Sequence, residues 1–206
     1  MKPALAPVIM RITGILAIAA AACGGHIPET RYYQLAPPAG APRTGGPLLV
    51  VEPLTTEGAY DDDRIVYRTS PYRLDYYQYH RWSAAPGTLI GNYLEQALEH
   101  TGKFGGVLRE LDPNAAVVLG GRVIAIEEVD ESRDRWRGHI ALELKLTDAR
   151  TSEVLWTGRF DESEPLATQS PEGLARALSA AMTRIVARAA PTIAAVAERR
   201  AVARGQ

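Results

Sequence analysis

Histidines and clustered carboxylates are the residues of this sequence that could serve catalysis or bind a metal. The four histidines are His26, His80, His100 and His139, and their separations match no metal-ligand spacing. No positioned partner for proton transfer is indicated beside any of them. The run Asp61-Asp62-Asp63 has neither the alternating carboxylates nor the glycine of a calcium loop, which favours a solvated loop. The sequence therefore predicts no catalytic residue, no metal site and no cofactor.

Cys23 is the one side chain whose position indicates covalent chemistry. It is the only cysteine and follows a positively charged segment and then residues 12–22, which carry no charge. This is the layout of a secretory signal, since a membrane-spanning helix needs about 20 apolar residues. Ala20-Ala21-Ala22-Cys23 resembles a bacterial lipobox, although Ala20 replaces the usual large aliphatic residue. We predict that Cys23 carries a lipid; the alternative is an ordinary signal peptide that leaves a stray thiol.

The residue after the cysteine, Gly24, indicates which membrane would hold such an anchor. Several acyl chains on one residue anchor stably, because each buried methylene contributes about 0.8 kcal/mol. Asp is the residue that typically follows the cysteine of lipoproteins retained in the inner membrane, and this chain has Gly24 instead. We therefore expect lipid anchoring at the periplasmic face of the outer membrane of a Gram-negative bacterium.

A tyrosine-rich stretch is predicted to form a hairpin that turns at Ser70-Pro71. Proline presets φ and biases the preceding residue away from the helical region. Six of the nine tyrosines lie in or beside the hairpin: Tyr60, Tyr67, Tyr72, Tyr76, Tyr77 and Tyr79. Because alternate residues of a strand face opposite ways, about half of them are expected in the core.

The exposed side chains of this hairpin are predicted to form a surface that contacts a protein or lipid headgroups. Its expected members are Tyr72, Arg73, Tyr77, Tyr79 and Arg81. Tyr and Arg are enriched at interface hot spots. The plainer alternative is that these residues only pack the sheet. A nucleic-acid partner is disfavoured, because the chain has a net charge of −1 and a pI near 6.4.

The elements that position this hairpin can be read from hydrophobic periodicity. An amphipathic helix is predicted after the hairpin, with Ser83 as its N-cap, Pro86 in its first turn and Gly102 at its end. A second helix is predicted from Ser170-Pro171-Glu172 to Pro191. Residues 192–204 are expected to continue as an exposed helix after a kink, because they are rich in alanine and arginine.

Strands are predicted around these helices from β-branched content and alternation. The clearest is residues 140–147, where Ile140, Leu142, Leu144 and Leu146 alternate with Ala141, Glu143, Lys145 and Thr147. A strand over 117–128 contains Gly120-Gly121, which indicates a bulge or a close backbone approach, and residues 130–135 are read as a charged connection. The other predicted strands are residues 31–36, 48–54, 104–110 and 154–160.

This order of elements predicts the fold class. Two main helices interleaved with about six strands favour a single-domain α/β sandwich with a mixed β-sheet. The 206 residues, 46% of them hydrophobic, suit one domain with a full core.

The ordered combination of hairpin and helix resembles the ABC-type transport auxiliary lipoprotein family. The resemblance lies in the order Asp-Arg-Ile-Val-Tyr-Arg, Ser-Pro-Tyr-Arg, Tyr-Tyr-Gln-Tyr-His-Arg-Trp and a leucine-rich helix over residues 63–98, preceded by Tyr32-Tyr33-Gln34-Leu35 after Cys23. It covers the chain from Cys23 to about Pro191. It implies a fold similar to the N-terminal domain of the TolB translocation protein, also likened to anticodon-binding domains.

The resemblance also implies a function and a division of the chain. Family members are non-catalytic lipoproteins of envelope systems that contain an ABC transporter and a mammalian-cell-entry-domain protein and are thought to move lipids between the membranes. The expected partners are the mammalian-cell-entry-domain protein and the outer membrane, and a homo-oligomer is possible. The alternative function is that of a structural or assembly lipoprotein that is independent of any transporter. The expected divisions are a signal peptide (1–22), a lipidated tether with first strand and Pro/Gly-rich linker (23–47), the auxiliary domain (48–190, joined by the first strand) and a tail (191–206).

Overall fold

Eight strands form one mixed sheet in the computed structural model, which describes residues 28–42 and 45–205. The strands are β1 (Arg31–Tyr33), β2 (Leu48–Val51), β3 (Arg64–Ser70), β4 (Arg73–Trp82), β5 (Gly106–Leu108), β6 (Val117–Ser132), β7 (Arg135–Asp148) and β8 (Val154–Pro165). The helices are α1 (Pro86–Glu99) and α2 (Pro171–Ala203), and Gly58–Tyr60 forms a 3₁₀ turn. The predicted fold class is confirmed.

Strand β6 organises the sheet, because it has neighbours along both of its sides. β7 pairs with it antiparallel, and β8 pairs antiparallel with β7. On its other side, β6 runs parallel to β2 near its start and parallel to β3 near its end. β5 extends the β2 branch, whereas β4 and then β1 extend the β3 branch.

Both helices contribute to one large core with the sheet. The alternation predicted for β7 is confirmed: Ile140, Leu142, Leu144 and Leu146 are all fully buried. On the same face, a side chain at Gly138 would meet the α2 residues Leu174 and Leu178. Burying a leucine or isoleucine side chain contributes about 1.5–3 kcal/mol, so this face holds the helices on the sheet.

The start of α1 differs from the predicted one. Pro86 is the first helical residue, and Ala85 occupies the N-cap position without a side-chain bond. Ser83 lies two residues before the N-cap position, and its backbone N–H donates to the carbonyl oxygen of Tyr33 at 2.7 Å, which extends the pairing of β1 with β4. Gly102 adopts a positive φ of 63° just after the helix, as the prediction of a helix end requires.

Two features of β6 refine its prediction. The close backbone approach is at Gly121, where a Cβ would lie 2.0 Å from the carbonyl oxygen of Glu143 and φ is 143°. The register shift that marks a bulge lies further on, between Val123 and Ala125. The charged connection predicted over 130–135 is wrong in extent, because the strands pair as far as Ser132 with Arg135.

Helix α2 begins as predicted and ends differently. The Ser170 hydroxyl accepts a hydrogen bond from the N–H of Gly173 at 3.0 Å, and Pro171 is the first helical residue. The helix continues through Pro191 to Ala203, and Ile193 and Ala197 are fully buried. The expected exposed tail is therefore wrong: this segment completes the core. By length and mean hydropathy α2 could cross a membrane, yet it packs on the sheet.

Candidate functional site

The β3–β4 hairpin carries the most exposed aromatic side chain of the described residues. Tyr72 is 98% exposed at the hairpin turn, which Pro71 and Tyr72 form between the two strands. The Ser70 hydroxyl accepts a hydrogen bond from the N–H of Tyr72 at 3.3 Å, and Arg68 donates to the Pro71 carbonyl oxygen at 3.2 Å. Arg73 is also exposed and pairs with Asp75 at 2.9 Å. Two hydrogen bonds thus close the turn, and its two outward side chains remain accessible.

Three of the five predicted contact residues are less exposed than expected. Tyr77 lies partly buried on the helix-bearing face, where its hydroxyl donates to Glu128 Oε1 at 2.7 Å. Arg81 is partly buried and forms ion pairs with Asp63 and Asp62. Tyr79 is also only partly exposed. The structure therefore brings only Tyr72 and Arg73 together as a freely exposed pair.

The acidic run at residues 61–63 is tied to the hairpin and is not simply a solvated loop. Asp62 accepts from both the backbone and the side chain of Arg64, at 2.8 and 2.9 Å. The backbone bond, helped by this side-chain contact and opposed by burial, lowers the pKa of Asp62. These carboxylates thus stabilise the start of β3.

Glu128 is a fully buried carboxyl group beneath the hairpin. Burial raises its pKa to about 7; the hydrogen bond from Tyr77 opposes this rise, and the charge of Asp130 adds to it. The Tyr77 ring also makes edge-on contacts with Tyr67 and His80, with centroids 5.2 and 5.6 Å apart. This aromatic cluster encloses the carboxyl group and keeps water from it.

Glu127 points to the opposite face of β6 and gathers three partners. It accepts hydrogen bonds from Tyr60 at 2.7 Å and from Arg68 at 3.1 Å, and it lies 3.2 Å from His139 Nδ1. Burial raises the pKa of Glu127, but the hydrogen bonds with His139, Arg68 and Tyr60 outweigh it and lower the pKa overall. Burial and then the bond to Glu127 raise the pKa of Tyr60 to about 12.

His139 sits between two carboxylates. Its Nε2 lies 3.1 Å from Asp161, while its Nδ1 faces Glu127. The hydrogen bond to Glu127 raises the pKa of His139, burial lowers it, and Asp161 raises it further. Because both ring nitrogens are engaged, the imidazole has no nitrogen left for proton abstraction or metal ligation. The cluster is suited to electrostatic stabilisation of the sheet.

A cleft of about 570 Å³ opens beside this cluster. Its lining includes the hairpin residues 68–71 together with Glu127, Val129 and His139. In the part of the chain that the structure describes, no group of three or more His, Cys, Asp or Glu side chains could hold a metal ion. Cys23 and His26 lie outside the described residues.

The buried carboxylates were missed by the sequence analysis, although a signal for them exists. Glu127 and Glu128 are adjacent acids that end an apolar, β-branched run starting at Val117. Charged residues are almost never fully buried unless they are paired. Such a doublet within a predicted strand therefore indicates a buried partner on each face of the sheet.

Comparison with known proteins identifies the family. The model of the family described as "ABC-type transport auxiliary lipoprotein component" matches residues 33–190. The chain belongs to this family. This match confirms the resemblance found in the sequence. The family consists of auxiliary transport components and is not an enzyme family.

Solved structures of low sequence identity share the fold. Protein XCC0632 from Xanthomonas campestris superimposes with a TM-score of 0.70 at 18% identity, covering 82% of this chain and 98% of that one. The crystal structure of an uncharacterized protein matches with a TM-score of 0.64 at 17% identity, covering 81% and 99%. No match was found among curated proteins. At these identities the likeness shows the fold alone.

Proposed function

We propose that this chain is a periplasm-facing lipoprotein of the outer membrane that serves a lipid-transport system. In this proposal it is the non-catalytic auxiliary component of an assembly that contains an ABC transporter and a mammalian-cell-entry-domain protein. The family match over residues 33–190 carries the proposal. The cargo would be lipid moving between the inner and outer membranes.

The anchor in this proposal is a lipid on Cys23. The cysteine is unique in the sequence and lies eight residues before the first strand of the sheet. Replacing Cys23 with Ala should release the protein to the soluble periplasm; continued membrane retention would contradict the anchor. Recovery of the mature protein with the inner membrane would contradict the sorting argument from Gly24.

The charged groups inside the domain support a binding role over a catalytic one. His139 and Arg68 are both bonded to Glu127, and buried Glu128 is bonded to Tyr77 within an aromatic cluster. By contrast, Tyr72 and Arg73 are directed outward at the hairpin turn. They form the exposed part of the contact surface that we propose for the hairpin, whereas Tyr77, Tyr79 and Arg81 lie further along β4 and are only partly exposed.

The experiment that tests this function is a search for the partner. The tagged lipoprotein is purified from cross-linked envelopes, and the proteins that accompany it are identified by mass spectrometry. A mammalian-cell-entry-domain protein among the strongest hits is the expected result. Recovery of only outer-membrane or peptidoglycan-associated proteins would contradict the transport role and favour a structural or assembly lipoprotein.

A further inference from the structure

Strand β1 sets the direction in which the chain enters the domain. β1 is parallel to β4, with Arg31 opposite His80 and Tyr33 opposite Trp82. β4 begins at the hairpin turn and runs away from it. The amino end of β1 therefore points back toward the hairpin turn, and any anchor that precedes β1 is attached on that side.

The length of chain before β1 limits how far such an anchor can lie from the domain. Cys23 precedes Arg31 by eight residues, and an extended chain spans at most about 3.3–3.6 Å per residue, so the reach is about 26–29 Å. Arg64 of β3 pairs with Arg81 of β4, and this pair lies at the level of β1. Arg64 is six residues before Ser70, where the hairpin turn begins. At about 3.3 Å per residue the hairpin turn lies about 20 Å beyond that level. The tether can therefore bring a lipid to the height of the turn with less than about 10 Å to spare.

The same tether is poorly placed to bring the opposite end of the sheet to a membrane. β3 runs parallel to β6, with Val66 opposite Glu127, and β6 starts ten residues earlier at Val117. That start lies about 26 Å from the level of Arg31 in the direction away from the hairpin turn. A tether ending there would have to reverse its course and then extend fully. The parallel pairing thus distinguishes an anchor-side end from a far end.

The two ends differ in their exposed apolar side chains. On the anchor side, Tyr72 is 98% exposed on the turn. Tyr32 is 64% exposed on β1, but it lies opposite Arg81 and so about 20 Å from the turn along the strands. At the far end the exposed residues are aliphatic: Val154 is 53% exposed and Val202 75% exposed. Tyrosine combines an apolar ring with a polar hydroxyl and is enriched where hydrocarbon meets water in membranes. The anchor-side chemistry therefore suits a phospholipid surface.

We propose that the end of the domain bearing the hairpin turn is seated on the phospholipid headgroup layer, with Tyr72 as the contacting side chain. This inference rests on the proposed lipidation of Cys23. One tyrosine alone would bind weakly, but a covalent anchor keeps the turn close to the bilayer at a high effective concentration. Arg73 is paired with Asp75 at 2.9 Å, so the contact does not require anionic lipids.

Site-specific labels on the full lipidated chain test this orientation. Lipidation consumes the only native thiol, so a cysteine introduced by Tyr72→Cys can be labelled alone. The matched control is Val202→Cys at the far end. Each protein carries an environment-sensitive fluorophore and is reconstituted in phosphatidylethanolamine and phosphatidylglycerol vesicles that contain a headgroup-nitroxide lipid. We expect loss of fluorescence at position 72, little loss for Tyr32→Cys, which lies about 20 Å from the turn, and none at position 202.

The possible outcomes separate this inference from the proposed function. Mass spectrometry of the mature protein shows first whether Cys23 carries lipid; an unmodified cysteine would overturn the anchor and this inference together. A lipidated protein whose label at position 72 is not quenched would overturn the inference alone. Protection of position 72 only when a protein partner is added would also overturn it, in favour of a protein contact. Loss of quenching in the labelled chain with Cys23→Ser would support it.

Discussion

Arg204, in the turn that ends α2, donates a hydrogen bond of 2.8 Å to Asp148, the last residue of β7. Arg200 binds the other oxygen of the same carboxylate at 2.5 Å. Asp148 is only 3% exposed, and it also accepts from the N–H groups of Arg150 and Thr151 at 2.8 Å. One carboxylate thus joins the end of the sheet to the end of the chain's last helix.

Asp148→Asn should destabilise the protein strongly. Removing one partner of a buried ion pair leaves the other charges uncompensated, which costs on the order of 3 kcal/mol. Burial raises the pKa of Asp148, but hydrogen bonds from Thr151, Arg200, Arg150 and Arg204 outweigh it and hold the pKa well below its ordinary value. The stabilisation is therefore complete above the ordinary pKa and is lost as pH falls through the lowered one.

Urea unfolding at pH 7 measures this loss. Glu153→Gln is the matched control, because Glu153 is an exposed partner of Arg200 at 2.8 Å and exposed pairs contribute less than about 1 kcal/mol. Equal stability of the two variants would contradict the assignment of Asp148 as the joining group.

The segment after Pro191 should be essential for stability. Ile193→Ala is expected to lower the free energy of unfolding by about 2–5 kcal/mol, because Ile193 is fully buried in the core. Val202→Ala, on the exposed side of the same helix, should change it by less than about 0.5 kcal/mol. Thermal unfolding followed by circular dichroism compares the two variants. Equal melting temperatures would contradict burial of this segment and favour the exposed tail that the sequence predicted.

Glu128→Gln should remove part of the pH dependence of stability. The native protein keeps a proton on Glu128 up to about pH 7, whereas the unfolded chain releases it near 4.5. The free energy of unfolding therefore falls as pH rises through this range, by on the order of 3 kcal/mol. Urea unfolding at pH 5 and pH 8 should show a smaller fall for Glu128→Gln than for the wild type. The exposed Glu131→Gln should behave like the wild type; an unchanged fall in Glu128→Gln would refute the prediction.

His139→Gln should lower stability in a pH-dependent way. The pKa of His139 is raised by Glu127 and Asp161, so its charged form stabilises the fold below the ordinary value of 6.5. This contribution is lost as pH rises through the raised pKa. We expect a deficit of about 1–3 kcal/mol at pH 6 that shrinks by pH 9. Chemical unfolding at both pH values measures it, with His100→Gln as control, because the His100 ring bonds the Pro38 carbonyl oxygen instead of a carboxylate. A deficit that does not change with pH would count against the charged pair.

Charge reversal should separate two arginines of the hairpin. Arg81→Glu is expected to lower the melting temperature, because it would place a carboxylate against Asp62 and Asp63. Arg73→Glu should leave it near the wild-type value, since Arg73 is exposed and its pair with Asp75 is solvated. Differential scanning calorimetry compares the variants, and a large drop for Arg73→Glu would mean that the turn serves the fold.

Local signals predicted much of this fold. The alternation from Ile140 to Leu146 identified the strand and its buried face. Ser170-Pro171 located the start of α2, because a cap and a first-turn proline act within one turn. Ser83 was misassigned because the helix begins only at Pro86, whereas Ser83 still belongs to the strand pairing through its bond to Tyr33, which lies 50 residues away in sequence. Local preference alone did not show this long-range pairing.

The remaining errors have the same origin. Arginines at 200 and 204 look solvated in sequence, and only the fold brings Asp148 to them across 52 and 56 residues. Likewise, Glu127 meets Arg68 and Tyr60 because β3 pairs with β6. Of the predicted contact surface, exposure was correct for Tyr72 and Arg73, whereas strand alternation alone could not foresee that Glu128 binds Tyr77.

Helix α2 also extends along the long axis of the sheet from one end to the other. Near its start, Gln169 binds the carbonyl oxygen of Arg133 in the β6–β7 turn, and at its end Arg204 reaches Asp148. Its 33 residues span about 50 Å at 1.5 Å per residue. If the hairpin turn is seated on the bilayer as proposed, this continuous helix would set the distance from the membrane at which a partner first meets the protein.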